Sequence, residues 1–196
     1  QRLERLKNPQ TRLQDAGKVR YHTVDGEATE RWFVNVAGMA YDGFVAKRIE
    51  EDGKSNNQIE YLLAVGRYLF EYNLTRARIS WDGAVPVEDF FYTINVGLCR
   101  YSGGGMQFVP QAIPDDGLLA LTFARKLPRW EVLLQTPRFY NGTLLSHSKI
   151  TGTQAQSVEV MPLQDDQPLW LEADGEFLGQ CPAVFSIVEK AINVVL

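Results

Sequence analysis

Short runs of β-branched and aromatic residues, each closed by a glycine or an Asp-Gly dipeptide, recur from Trp32 to the end of the chain. Trp32–Val36 stops at Gly38, Arg76–Trp81 turns at Asp82-Gly83, and Phe90–Val96 stops at Gly97. Further runs read at Leu118–Phe123, Ser157–Met161, Leu169–Glu172, Ala183–Val188 and Ile192–Leu196, with Asp116-Gly117 and Asp174-Gly175 beside them. Period-2 runs with this punctuation are antiparallel strands joined by tight turns. Helical spacing is rarer. Ile59–Tyr72 carries apolar residues at 59, 62, 63, 65, 69 and 70, Leu127–Leu134 has Pro128 in a first turn, and Phe44–Glu51 is a shorter candidate. The expected fold is mainly β, an antiparallel β-sandwich with two or three appended helices. Val34-Asn35-Val36-Ala37-Gly38 and Ile94-Asn95-Val96-Gly97 echo one another, as two neighbouring strands of one sheet would.

Composition narrows the functions. The 196 residues carry 20 Lys+Arg against 24 Asp+Glu, a net charge of −4, without the basic stripe of a nucleic-acid binder. No apolar run nears the roughly 18 residues needed to cross a bilayer, and the first residues hold no apolar core of a signal peptide, so a cytoplasmic location is expected. Two cysteines and two histidines cannot build a Cys- or His-rich zinc site, and Cys99 and Cys181 read as buried or half-buried thiols. Residues 1–20 are polar, broken by Pro9 and Gly17, and read as a connecting segment ahead of a domain spanning 21–196. The chain starts without methionine, as a piece of a longer protein would.

Three stretches invite chemistry. Gly103-Gly104-Gly105 is costly to order, so it marks either close backbone approach to a ligand or second domain, or a bulge packed on a strand. Asp115-Asp116-Gly117 offers carboxylate and carbonyl oxygens to a hard cation such as Mg²⁺, or is an ordinary turn. Glu172-Ala173-Asp174-Gly175-Glu176 places carboxylates at a hairpin tip, where one can serve as general base or cation ligand, or simply be solvated.

In order along the chain, these residues resemble the C-terminal half of the diacylglycerol kinase / sphingosine kinase lipid kinase family, which includes bacterial members. Phe33 to Gly43 resembles its Phe-x-Asn-x-x-Gly-x-Gly-x-Asp-Ala block. Gly103 to Leu119 resembles its Gly-Gly-Gly-Met, Pro-x-Ala and Asp-Gly-Leu-Leu block, and Asp174-Gly175-Glu176 its late Asp-Gly-Glu. The likeness covers residues 15–196. Ala40 stands where members often have glycine, and Leu98 where many have asparagine. The family's Gly-Gly-Asp-Gly-Thr loop, which holds ATP phosphates on its other domain, has no counterpart here. The resemblance therefore implies the β-sandwich C-terminal domain of a two-domain lipid kinase / NAD kinase-like fold, inactive by itself, with residues 1–20 trailing from the nucleotide-binding domain. It implies Glu176 as the general base toward a lipid hydroxyl. It implies Asp116, with the carbonyls of Ile113 and Leu118, as the ligands of one Mg²⁺, and ATP as the donor, bound mainly by the other domain. A lipid substrate, peripheral membrane contact and self-association follow as expectations, with an apolar face around Gly103–Met106 and Tyr41–Phe44. An NAD kinase-type nucleotide kinase and a non-catalytic lipid-binding or dimerising module are the alternatives.

Overall fold

The computed structural model describes residues 10–53, 66–164 and 167–195. In chain order its elements are β1 (Thr11–His22), β2 (Ala28–Phe33), β3 (Val36–Ala40), α1 (Tyr41–Asp52), β4 (Thr75–Trp81), β5 (Val87–Gly97), β6 (Tyr101–Ser102) and β7 (Met106–Gln107). Then follow β8 (Leu119–Arg125), α2 (Arg129–Asn141), β9 (Ile150–Ala155), β10 (Ser157–Pro162), β11 (Trp170–Ala173) and β12 (Glu176–Val195). The chain is helical again at 66–71.

Ten strands share one antiparallel sheet, in the order β10-β4-β5-β3-β11-β12-β1-β2, with β8 on β5 and β9 on β8. The long β12 makes this a sandwich rather than an open sheet. One edge of β12 pairs with β11 up to Gln180 and then with β10 from Ala183 to Ser186, across the cis Cys181–Pro182 bond. Since β10 also pairs with β4, the strands β12, β10, β4, β5, β3 and β11 close into a ring around the core. The other edge of β12 pairs with β1. Alternation drives these choices: in β4, Thr75, Ala77 and Ile79 point inward while Arg76 and Arg78 face water. β8 is buried from Leu119 to Ala124, as expected of a strand covered on both faces. Inside, Phe33 meets Phe185 edge-on at 6.1 Å and Phe91 meets Phe123 at 5.6 Å, among buried Val19, Met39, Ile94 and Leu171.

The expected boundary at residue 20 is corrected here. Residues 11–20 belong to β1, inside the sheet. The period-2 signal was hidden because β1 breaks register at Asp15, between Gln14 and Ala16. Asp15 is buried at that break, and its carboxylate accepts the N–H groups of Gly117 (2.8 Å) and Lys190 (2.7 Å). Other differences are local. Trp32–Val36 is split between β2 and β3, Ala183–Val188 and the run from Ile192 to Val195 are one strand, and β9 carried no clear sequence signal. Of the helix expected at Ile59–Tyr72, the part up to residue 65 lies outside the described residues. The helix expected from Leu127 starts at Arg129, with Pro128 as its N-cap, and runs on through Pro137 to Gly142. Cys99 and Cys181 are free thiols, half-buried and buried. No helix among the described residues is long and apolar enough to cross a membrane.

Candidate active site

A cavity of about 1080 Å³ opens between α1, α2, β5 and the β6–β7 hairpin. Its walls are largely apolar, with Val45, Ile49, Leu69, Leu127, Val132 and Phe139. One end is polar, lined by Asn35, Asp42, Thr93, Asn95, Glu172 and Glu176. α1 supplies both characters, Asp42 in its first turn and Val45 and Ile49 one and two turns on.

The polar end is organised around one glycine. Strand register sets Glu172, Gly38 and Asn95 in a row across β11, β3 and β5. A Cβ on Gly38 would lie 2.6 Å from Glu172 Oε1, 2.8 Å from Asp42 Cβ and 3.3 Å from Asn95 Oδ1, so three polar side chains converge where a side chain is missing. Asp42 reaches that point because Ala40 turns β3 into α1 within one residue, at φ 66°. The likeness to the lipid kinases carries glycine at that position, and this left-handed backbone is the physical reason.

The carboxyls differ in what holds them. Asp42 accepts hydrogen bonds from the Thr93 hydroxyl and from Asn95 Nδ2 (3.2 Å), yet burial outweighs them and pushes it up to about 6. Burial pushes Glu172 up to about 8, opposed by the Gly175 N–H (2.9 Å) and reinforced by the charges of Asp42 and Asp174. Asp174 is fully engaged, accepting the N–H groups of Val34 (2.8 Å), Asn35 (3.0 Å) and Val36 (3.2 Å). It thereby pins the bend between β2 and β3 and orients Asn35, whose buried Oδ1 finds no partner among the described residues. Glu176, first residue of β12, is exposed at the rim and ion-paired with Arg31 of β2.

The structure thus puts Glu176 at the polar end of the cavity, but not the expected metal ligands. Ile113, Asp116 and Leu118 lie in the turn before β8, outside the cavity lining. Asp116 Oδ1 accepts the Leu118 N–H (3.1 Å) and Oδ2 accepts Gln154 Nε2 (2.7 Å), while neighbouring Asp115 pairs with Arg12. One carboxylate with main-chain carbonyls is an all-oxygen, hard donor set suited to Mg²⁺, and each Asp116 oxygen keeps a lone pair beyond its single hydrogen bond. Among the described residues no three His, Cys, Asp or Glu side chains gather as a metal cluster.

Sequence reasoning assigned no role to Asp42, Thr93 or Asn95, and took Glu172 only as one carboxylate of the acidic turn. The echo of Val34–Gly38 in Ile94–Gly97 held the clue, because β3 and β5 are indeed neighbours and Gly38 faces Asn95. The glycine run proves to be the tip of the β6–β7 hairpin, with φ of 48°, 79° and 96°, and Gly103 and Met106 edge the cavity. The apolar surface differs from expectation too. Tyr41 and Phe44 pack on the core, whereas α2 buries no residue and exposes Trp130 (64%) and Leu134 (67%).

Residues 34–196 match the family described as the YegS C-terminal NAD kinase beta sandwich-like domain. A Mycobacterium tuberculosis protein named "Diacylglycerol kinase" is 27% identical over 180 residues, 92% of this chain and 56% of that protein. A "Probable lipid kinase YegS-like" protein of Xanthomonas oryzae pv. oryzae is 29% identical over 163 residues, 78% of this chain and 49% of its own length. The solved structure of a diacylglycerol kinase from Bacillus anthracis aligns over 95% of this chain and 54% of its own, with TM-score 0.58 and 17% identity. A second Bacillus anthracis structure aligns over 95% and 56%, with TM-score 0.65 and 19% identity. The chain spans about half the length of the relatives it matches. The ring-closed sandwich agrees with those structures, and the family match runs from the β2–β3 bend through the whole polar end of the cavity: the chain belongs to the YegS C-terminal NAD kinase β-sandwich-like domain family.

Proposed function

We propose that this chain is the acceptor-side domain of an ATP- and Mg²⁺-dependent lipid kinase, which phosphorylates the hydroxyl of diacylglycerol or a related lipid. The observation that carries this is a cavity with apolar walls ending in carboxyls, with Glu176 at its rim. Acyl chains would lie along Val45, Ile49, Leu127 and Phe139, leaving the head at the polar end, where the unpartnered Asn35 Oδ1 can accept from it. An aliphatic hydroxyl is a poor acid, so its attack on phosphorus needs a positioned carboxylate. Glu176 would take the hydroxyl proton as the new O–P bond forms and the bond to the ADP oxygen breaks, with Arg31 holding its orientation. Asp42, held by Thr93 and Asn95, would orient the head. Asp116 and the carbonyls of Ile113 and Leu118 would hold Mg²⁺, whose charge would brace the turn before β8. ATP would sit mainly on the partner domain that the relatives' extra length accommodates. The exposed Trp130 and Leu134 favour contact with a membrane surface. Apolar walls favour this reading over a nucleotide acceptor, and the carboxyls favour it over a passive binding module.

In the protein that pairs this chain with its nucleotide-binding domain, Glu176→Gln should lower kcat at least ~10²-fold with the fold intact. Near-normal turnover in that variant would show that Glu176 is not the base. The chain by itself should transfer no phosphoryl group to any lipid, and activity from residues 1–196 alone would overturn the reading.

A further inference from the structure

The carboxyls at the polar end differ in how their partners hold them. Arg31 sits on Glu176, three main-chain N–H groups occupy Asp174, and Thr93 and Asn95 serve Asp42. Glu172 lines the same cavity, and the hydrogen bonds it makes come from the main-chain N–H groups of Gly175 and Gly38. Those donors use its oxygens as acceptors. No hydrogen bond among the described residues offers an acceptor to a proton on this carboxyl, so a proton there points its bonding capacity at whatever fills the cavity. Among the described residues no cation is paired with it either: Lys47, on the neighbouring helix, pairs with Glu51 and lies over the Trp170 ring.

We propose that Glu172 is a specificity-determining residue of the acceptor pocket: its carboxyl hydrogen-bonds an uncharged oxygen of the acceptor head beside the reacting hydroxyl, and it excludes heads that carry an anionic group. This rests on the lipid-acceptor reading above and names the class of head that the pocket takes. A neutral glycerol ester presents ester oxygens within a few bonds of its free hydroxyl, so it can meet Glu172 and Glu176 together. An anionic head would instead face Asp42, Glu172, Asp174 and Glu176 at once.

Among the described residues, the titratable groups that line the cavity with Glu172 are Asp42, Tyr41 and Glu50 from α1, Asp174 from the β11–β12 turn, Glu176 from β12 and, farther along, Tyr92 from β5 and Tyr140 from α2. Asp42 titrates near 6, while burial raises Tyr92 and also Cys99, beyond Asp174, above their ordinary values. Glu172 therefore gains its charge across the interval from pH 7 to 9, its proton about nine-tenths present at pH 7 and about one-tenth at pH 9 for a midpoint near 8.

The test is binding of diacylglycerol in neutral detergent micelles to the 196-residue chain, read by tryptophan fluorescence at pH 7, 8 and 9, with phosphatidic acid of the same acyl chains as the anionic comparison. Wild type should bind diacylglycerol at pH 7, lose about tenfold in affinity by pH 9, and bind phosphatidic acid more weakly throughout. Glu172→Gln, which keeps a neutral donor, should retain the pH 7 affinity and lose the alkaline fall. Glu172→Leu should be about tenfold weaker at pH 7 and flat with pH; if it does not fold, Glu172→Gln decides alone. An alkaline fall that persists in Glu172→Gln, or phosphatidic acid bound as tightly as diacylglycerol, overturns the role of Glu172 while leaving the lipid-acceptor reading standing. A wild-type chain that binds no diacylglycerol at any pH overturns both.

Discussion

Replacing Glu172 by glutamine should make the fold more stable, and only above acid pH. The side chain ionises at about 4.5 in the unfolded chain but holds its proton to about 8 in the fold. Between those values the folded chain binds more protons than the unfolded one, so wild-type stability falls as pH rises and levels off above 8. At about 1.4 kcal/mol per pH unit, the interval from 4.5 to 8 sets a ceiling of about 5 kcal/mol. The Gly175 N–H bond and the burial of the carboxylate are already contained in that shift, so a loss of about 3–5 kcal/mol is expected. For a chain of this size that is about 10 °C in Tm. Glutamine keeps the shape and the acceptor oxygen without the charge. Thermal melts of wild type and Glu172→Gln should coincide near pH 4.5 and separate steadily to pH 8, the variant melting about 10 °C higher. Asp42, raised from 3.8 to about 6, adds a fall of the same sign at lower pH, but it is common to both proteins and cancels. Melts that stay superimposed to pH 8.5, or a variant that is less stable there, would show that Glu172 is ionised at no cost and refute the account of the polar end.

Asp116→Asn removes the carboxylate proposed to hold Mg²⁺ in the turn before β8, so thermal stabilisation by Mg²⁺ should shrink in that variant; an unchanged Mg²⁺ response would leave the residue as the turn's hydrogen-bond acceptor alone. Ala40→Gly should be tolerated within about 1 kcal/mol, because relief of about 1–2 kcal/mol of left-handed strain offsets a lost buried methyl and added chain entropy. Ala40→Val should cost more than about 2 kcal/mol in urea denaturation, since a β-branched residue cannot adopt φ 66° without further strain.

The strands that alternate cleanly were legible. Arg76–Trp81 and Ser157–Met161 declare one buried and one wet face, and both stand within a residue of where the sequence puts them. β1 was not legible, because its alternation breaks at Asp15, a carboxylate buried only because backbone from two distant segments satisfies it. Nothing local announces that rescue. The same holds for the site. Glu176 could be singled out at a hairpin tip, but the row of Glu172, Gly38 and Asn95 exists only once three strands are in register.

Two unfavourable features meet in this small region, and each has the same geometric consequence. Ala40 holds a backbone conformation that costs a residue with a Cβ about 1–2 kcal/mol, and by doing so it brings Asp42 back over Gly38. Glu172 is kept where burial and two neighbouring carboxylates oppose its ionisation, over the same glycine. A core serving only stability would fill the space above Gly38 with apolar atoms, as the Phe33 ring does over Gly17. Here the missing side chain is instead surrounded by polar groups that open onto an apolar cavity. Strain and raised carboxyls concentrated at one end of one cavity fit the proposed site, one for chemistry on a ligand that is apolar along most of its length and polar at its tip.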